Sequence, residues 1–391
     1  MTISLQRWKE AKKQREVSFL CLFPPLPLCS KSSTVRLIIT DYPSIERRSQ
    51  MLERPPISDD TIHRCVGENY GIAAAAIIFL PIGYDSTASV FRVDAADGKI
   101  WFLKAKSLPV AAASLAVPHF LRKLGMDCIV APVATGNGAL TAPLGDGFTA
   151  ILYPFVAGRM GADGGLSPQQ WTALGQAMGQ IHNAVLPATL TGQMRRESFA
   201  PLKGELAWTL HREISAAAYT DPISQDLAAF WQERREDIEA ILRRAEELGR
   251  MAQARQPAIV LCHADIHVWN VLVDPSDGIH IVDWDETILA PKERDLMFLV
   301  DGTQPAGTPP HPNEAAFSLG YGPTKPDPVI LAFYRYDWAV QEIAEFGRQV
   351  LWAGDGGEIT RLDGLRHFRA LFDPGDVVER AYRSEVGGNA G

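Results

Sequence analysis

A chain of 391 residues, 46% of them hydrophobic, can bury a sizeable core as two domains or one two-lobed unit without disulfides or structural metal. Its 38 basic and 46 acidic residues leave a charge of -8, which gives no overall attraction to nucleic acid or an anionic membrane and better suits a cationic small ligand. Cys21, Cys29, Cys65, Cys128 and Cys262 are scattered without a CxxC pair, which argues against a disulfide framework or zinc ribbon and for a reducing cytoplasm.

Residues 1–50 differ from the rest: they carry +5, so the remainder carries -13. Lys9, Lys12, Lys13 and Arg15 precede the apolar run Val17 to Cys29 in the manner of a secretory leader. Pro24, Pro25 and Pro27 break the helix such a leader adopts, and no clean small-residue cleavage site follows, so export is not expected. Neither that run nor Gly71 to Ile82 is long enough to span a bilayer. Met51 is the expected natural start, with residues 1–50 a non-native or disordered extension.

From Met51 the chain reads first as strands: Ala75 to Leu80, Ser89 to Val93 and Ile100 to Ala105, with Asp97-Gly98 turning the last pair. An apolar helix is expected over Val110 to Leu124, ended by Gly125, and then strands Val130 to Ala134 and Thr149 to Pro154. Four glycines between Gly158 and Gly165 predict a linker dividing residues 51–157 from 158–391. Beyond it, Ser167-Pro-Gln-Gln170 starts a helix that runs to about Val185. One long charged helix is predicted over 224–254, then short strands at Ile259 to Cys262, Asn270 to Val273 and Ile279 to Val282. Helices over Pro328 to Gly347 and Arg361 to Phe372 complete the chain, with fraying expected from Gly387.

The densest polar cluster is His263-Ala-Asp265-Ile-His267-Val-Trp-Asn270, followed after one hairpin by Asp283-Trp-Asp285. A loop carboxylate five residues before an Asn, with another carboxylate on the next strand, places a base beside oxygen ligands for a cation, as phosphoryl transfer requires. A zinc site of Cys262, His263, Asp265 and His267 is the competing reading, but strand alternation sends Cys262 and His263 to opposite faces. Upstream, Lys104 lies inside the apolar Trp101 to Ala105 strand, where a lysine needs a partner; Lys106 faces the same side.

The HxDxxxxN pattern and Asp283 resemble kinase-like phosphotransferases. Leu261 to His267, Ile281 to Asp285 and Ala290 to Phe298 together resemble the aminoglycoside phosphotransferase family, in its spectinomycin branch, over residues 51 to 385. The resemblance implies an α+β, protein-kinase-like two-lobed fold: a small antiparallel sheet with one helix, then a larger, mainly helical lobe. It implies an ATP-dependent small-molecule kinase using Mg2+, with Asp265 as base, Asn270 and Asp283 on the metal, His263 bracing the loop, and Asp285 in support through the metal, the substrate or the backbone. Lys104 would contact the nucleotide phosphates, Ser86 and Thr87 would lie in the covering loop, and Tyr153 and Phe155 at the adenine-receiving hinge. The implied acceptor is a cationic polyol of aminoglycoside or aminocyclitol type, in a pocket to which Asp337, Glu342 and Glu345 are candidate contributors. The alternatives are a kinase of an endogenous amino alcohol, sugar or choline-like metabolite, and a nucleotide-binding protein without catalysis. Oligomeric state is not legible.

Two departures from the family pattern stand out. No Asp or Glu occurs between Lys99 and Met126, so the helix carboxylate that usually pairs with the strand lysine is missing, and Asp283 is a candidate substitute. Trp269 is bulky where related loops carry small residues, and is expected to shift the loop or narrow the cleft.

Overall fold

A computed structural model describes residues 54–82, 87–300, 312–352 and 357–386. The expected extension over 1–50, Ser86 and the stretch from Gly387 lie outside the described residues.

The first element is a helix, α1 (Asp59–Tyr70), not a strand. Ser58 caps it by accepting from the Thr61 N–H, Asp59 and Asp60 complement the helix dipole, and Gly71 ends it in the left-handed region at φ 67°. Only Ile62, Cys65 and Val66 are buried, a stripe too narrow to stand out in a polar sequence. Strands β1 (Ala74–Leu80), β2 (Ala88–Ala95) and β3 (Ile100–Lys106) follow as expected, then α2 (Ala112–Lys123), β4 (Ala142–Gly145) and β5 (Phe148–Pro154). They form one antiparallel sheet in the order β1-β2-β3-β5-β4, and α1 packs its apolar stripe with Phe91, Val93, Leu103 and Leu152 of that sheet.

The expected strand Val130 to Ala134 does not form; Ile129 makes an isolated bridge to Ile281 and the Val133 N–H donates to Leu152 O at 2.7 Å. The short β4, with Pro143 and two glycines nearby, takes the edge position instead. The glycine-rich stretch predicted as a linker contains β6 (Arg159–Met160), paired antiparallel with Val273 and Leu272. A Cβ at Gly158 would lie 2.1 Å from Val273 O, so its glycine serves close strand approach.

The helical half comprises α3 (Pro168–His182), α4 (Ala188–Thr191), α5 (Gly204–Ala216), α6 (Pro222–Glu233) and α7 (Arg235–Ala254). Next come β7 (Val260–Cys262), β8 (Val271–Val273), β9 (Ile279–Ile281), β10 (Ile288–Ala290) and α8 (Glu293–Leu299). The chain continues through α9 (Pro312–Tyr321), α10 (Pro328–Leu351), α11 (Glu358–Ala370) and α12 (Val377–Val386). The helix predicted over 224–254 is two, broken at Arg234, whose φ of -99° and ψ of 10° leave the helical range, and the apolar residues on both sides pack into one core. No helix among the described residues is long and apolar enough to cross a membrane.

Helices α3 and α9 meet through glycines: a Cβ at Gly320 would lie 1.9 Å from Thr172 O, and one at Gly175 would lie 2.1 Å from Phe317 O. This contact brings His182 and Tyr321, at the two C-terminal ends, to 2.7 Å. Gly320→Val therefore loses about 2–3 kcal/mol of stability through overpacking, read as a lower urea midpoint at unchanged slope.

Candidate active site

Strand β7 delivers the chain into a loop at His263, a 3-10 turn at Val268–Asn270 closes it, and β8 and β9 return it to Asp283. The Asn270 amide Nδ2 donates to both Asp265 O and Asp265 Oδ2 at 2.8 Å, so the two ends of the loop hold each other. This orients the Asp265 carboxylate and leaves the Asn270 amide oxygen as that side chain's remaining ligand atom. The bulky Trp269 is half-buried within that 3-10 turn.

His263 is buried and tied into the loop by hydrogen bonds. Its Nε2 lies 2.9 Å from Val282 O, its Nδ1 accepts from the Asp265 N–H at 3.3 Å, and its ring packs on Trp284 with centroids 4.6 Å apart. Val282 immediately precedes Asp283, so one imidazole ties the Asp265 segment to the Asp283 segment. Ala264 at φ 72° and Asp283 at φ 63° both occupy the left-handed region, a conformation L-residues avoid unless their surroundings impose it.

What imposes it at Ala264 is Asp295 on α8, a residue to which the sequence reading assigned no role. Asp295 is wholly buried and accepts from the His263 N–H at 3.0 Å and the Ala264 N–H at 2.6 Å. His182 Nε2 lies 2.9 Å from the same carboxylate, and Tyr321 lies behind His182. Burial alone would raise the Asp295 pKa, but the His182 hydrogen bond, the electrostatic influence of the His182 and His263 rings and the Ala264 amide outweigh it and hold the carboxyl below its ordinary range. The one signal in the sequence is Glu293-Arg294-Asp295, three ionisable residues leading into an apolar segment; all three are buried.

The sheet half supplies the cations. Lys104 Nζ lies 2.8 Å from Asp285 Oδ2 and 3.2 Å from Asp283 Oδ1, and Lys106 Nζ lies 3.2 Å from the same Asp285 oxygen. Burial opposes the charge on Lys104, but Asp283 and Asp285 outweigh it and raise the pKa well above the usual lysine range. Asp285 is shifted down, burial again being outweighed by the two lysines. Tyr153 on β5 sits close enough to feel Lys104 and Asp285, with burial pushing its phenol up, and its ring lies edge-on to Phe102 at 6.4 Å. Phe155 lies past the end of β5, its N–H donating to Ile100 O and its ring under the Arg92 guanidinium at 5.5 Å. Thr87 is tied through its carbonyl to the Ser107 N–H at 2.9 Å.

Asp265 has a side chain 35% exposed, with His267 Nε2 at 3.3 Å from Oδ1. Burial raises its pKa against the opposing influence of His267 and His263, which keeps it more basic than an ordinary carboxylate. From His267 an aromatic wall runs through Phe298, with centroids 5.8 Å apart, to Trp338, 5.0 Å further, whose indole N–H donates to Glu342 at 3.2 Å. Glu342 is pushed up to about 7 by burial and by the charge of Asp265.

The other two acidic candidates are spent elsewhere. Asp337 is 4% exposed and accepts from the Leu202 N–H at 2.7 Å and from Gln341 at 2.8 Å, with Arg294 at 3.3 Å. Glu345 pairs with Lys203 at 2.6 Å and with Arg348.

The zinc reading fails on geometry. Cys262 donates to Ala290 O and Pro291 O, and its nearest metal-type neighbours are His182 and Asp295, not His263, Asp265 or His267. That buried trio is already committed, since His182 is bonded to Asp295 and Asp295 to the loop backbone.

The sequence profile of the phosphotransferase enzyme family (APH) matches residues 78–350. A crystal structure of spectinomycin phosphotransferase APH(9)-Ia, in complex with ADP and spectinomycin, is 31% identical; it matches 85% of this chain and 100% of its own, with TM-score 0.75. Protein StrN of Streptomyces griseus is 25% identical over 314 residues, 76% of this chain and 88% of StrN. Choline kinase LicA of Streptococcus pneumoniae shares the fold, with TM-score 0.52 at 12% identity over 83% of this chain and 98% of that one. The chain is a small-molecule kinase of protein-kinase-like fold and belongs to the phosphotransferase enzyme family.

Proposed function

We propose that the protein transfers the terminal phosphoryl group of ATP to a hydroxyl of a cationic aminocyclitol related to spectinomycin, and that it works in the cytoplasm. In this reading residues 51–157 form the nucleotide half and 158–391 the catalytic half. The free thiols of Cys65, Cys128 and Cys262 suit a reducing compartment.

Asp265 is the base: it accepts the proton of the acceptor hydroxyl as that oxygen bonds to phosphorus and the bond to the ADP oxygen breaks. Asn270 aims the carboxylate. The Asn270 amide oxygen and the Asp283 carboxylate are both hard oxygen donors, which fits Mg2+. When bound, the ion neutralises phosphate charge. Lys104 opposes the same charge from the sheet side, and Tyr153 flanks it.

The observation that carries the acceptor class is Glu342. Among the described residues it has no ion pair, its one hydrogen-bond donor is the Trp338 indole, and Lys203, whose charge reaches it, is already paired with Glu345. A half-buried carboxylate whose pKa is raised by burial and by the charge of Asp265, and which lacks its own cation, is matched by an acceptor that brings an ammonium group near the reacting hydroxyl. Glu342→Gln is expected to raise KM for such an acceptor about tenfold or more, with nucleotide KM unchanged. Because the Glu342 pKa is raised to about 7, the wild-type acceptor affinity rises with pH through that value as the carboxylate ionises, and the variant loses this dependence. The reading is tested by ATP consumption across spectinomycin, aminoglycosides, choline, ethanolamine and neutral sugars. The expected kcat/KM ranks spectinomycin-like aminocyclitols first; a preference for choline or a neutral sugar overturns the proposed acceptor.

A further inference from the structure

Lys104 sits within an apolar strand and needs a counter-charge, yet the helix that follows offers none. Helix α2 lies in a stretch without Asp or Glu, buried Ser114 spends its hydroxyl on Ala111 O at 2.8 Å, and Ala113, Val117 and Leu121 are packed into the core. The charge arrives from 181 residues downstream: a single Asp285 oxygen accepts from Lys104 at 2.8 Å and from Lys106 at 3.2 Å. Asp285 is itself well anchored. Trp284 before it is buried against His263, and Thr287 after it donates its hydroxyl to Cys262 O at 2.9 Å and its N–H to Trp284 O at 3.2 Å.

We infer that Asp285 is a positioning residue that holds Lys104 and Lys106 together at the phosphate end of the nucleotide site, and that Lys106 is a second phosphate-facing lysine. The inference rests on the nucleotide reading above. Asp283 is the more exposed of the two carboxylates, at 46% against 29%, so it is free to turn to a cation while Asp285 stays on the lysines. Lys104 also meets Asp283 at 3.2 Å, so β3 presents both lysines to the segment that carries the candidate cation ligand. The tether joins the sheet directly to the loop that carries Asp283, so the lysines and the cation ligand share one anchor.

The test combines calorimetric titration of metal-free ADP with steady-state kinetics on wild type, Asp285→Asn, Asp285→Glu, Lys106→Met and the Asp285→Asn/Lys106→Met pair. Removing a carboxylate beside the phosphates would by charge alone tighten ADP, so weaker binding reports lost lysine geometry. Asp285→Asn is expected to weaken metal-free ADP about threefold or more and to lower kcat about tenfold at saturating nucleotide and Mg2+. Asp285→Glu restores most of both, and the double variant is within about twofold of Asp285→Asn alone, because the two residues act as a unit. Lys106→Met raises nucleotide KM with acceptor KM unchanged. Metal-free ADP binding that is unchanged or tighter in Asp285→Asn, with a kcat loss relieved by raising Mg2+, makes Asp285 a metal ligand and overturns the inference. Failure of the wild type to bind ADP overturns the nucleotide reading with it, whereas normal wild-type binding with unaltered variants overturns only the roles given to Asp285 and Lys106.

Discussion

Asp265→Asn is expected to lower kcat by about 10³-fold while leaving ADP affinity within about threefold of wild type. The amide keeps the size of the carboxylate and can still bond to Asn270, so the loop geometry survives; what is lost is the acceptor for the hydroxyl proton. Asp265 suits that task because burial makes it a stronger base than a solvated aspartate, while its side chain remains open enough, at 35% exposure, to meet a substrate. Turnover close to wild type would remove Asp265 from the chemistry. A variant that also fails to bind ADP would mean that its role is architectural.

The second large effect is expected at Asp295, which touches no substrate. Asp295→Ala strands the His263 and Ala264 amides and the His182 ring in a dry interior, a loss of about 3–5 kcal/mol, and releases Ala264 from its left-handed conformation. Activity falls with it, because His263 can no longer hold Asp265 and the Asp283 segment in register. Denaturant unfolding with a kinetic assay at a temperature where the variant is folded reads both consequences. Since the folded-state pKa of Asp295 lies below the unfolded value, its contribution is fully present above about pH 4 and is lost as pH falls further. The stability gap between wild type and Asp295→Asn should therefore narrow in acid, and a gap that widened there would contradict the ionised clamp.

The candidate site was legible in the sequence where it is local. Asp265, Asn270 and Asp283 lie on one loop and one hairpin, so spacing along the chain maps directly onto spacing in the site. The supports were not, because their partners are remote. His182 and Asp295 are separated by 113 residues and Lys104 and Asp285 by 181, and no periodicity links such pairs. Asp337 and Glu342 make the same point within one helix. Both are acidic and both lie on α10, yet packing assigns the first to Arg294 and a backbone amide and leaves the second beside the base. The break at Arg234 was invisible because the helices on either side keep an apolar stripe. The edge strand β4 was missed because proline and glycine suppress its strand signal, although an edge tolerates them.

The most direct measurement is phosphorus NMR of a reaction containing the purified protein, ATP, Mg2+ and spectinomycin, sampled to completion. The expected result is one new phosphomonoester resonance on the acceptor, with one ADP formed for each acceptor modified, and its absence in Asp265→Asn. ATP left intact, or converted to inorganic phosphate with every cationic aminocyclitol unmodified, would contradict the proposed transfer.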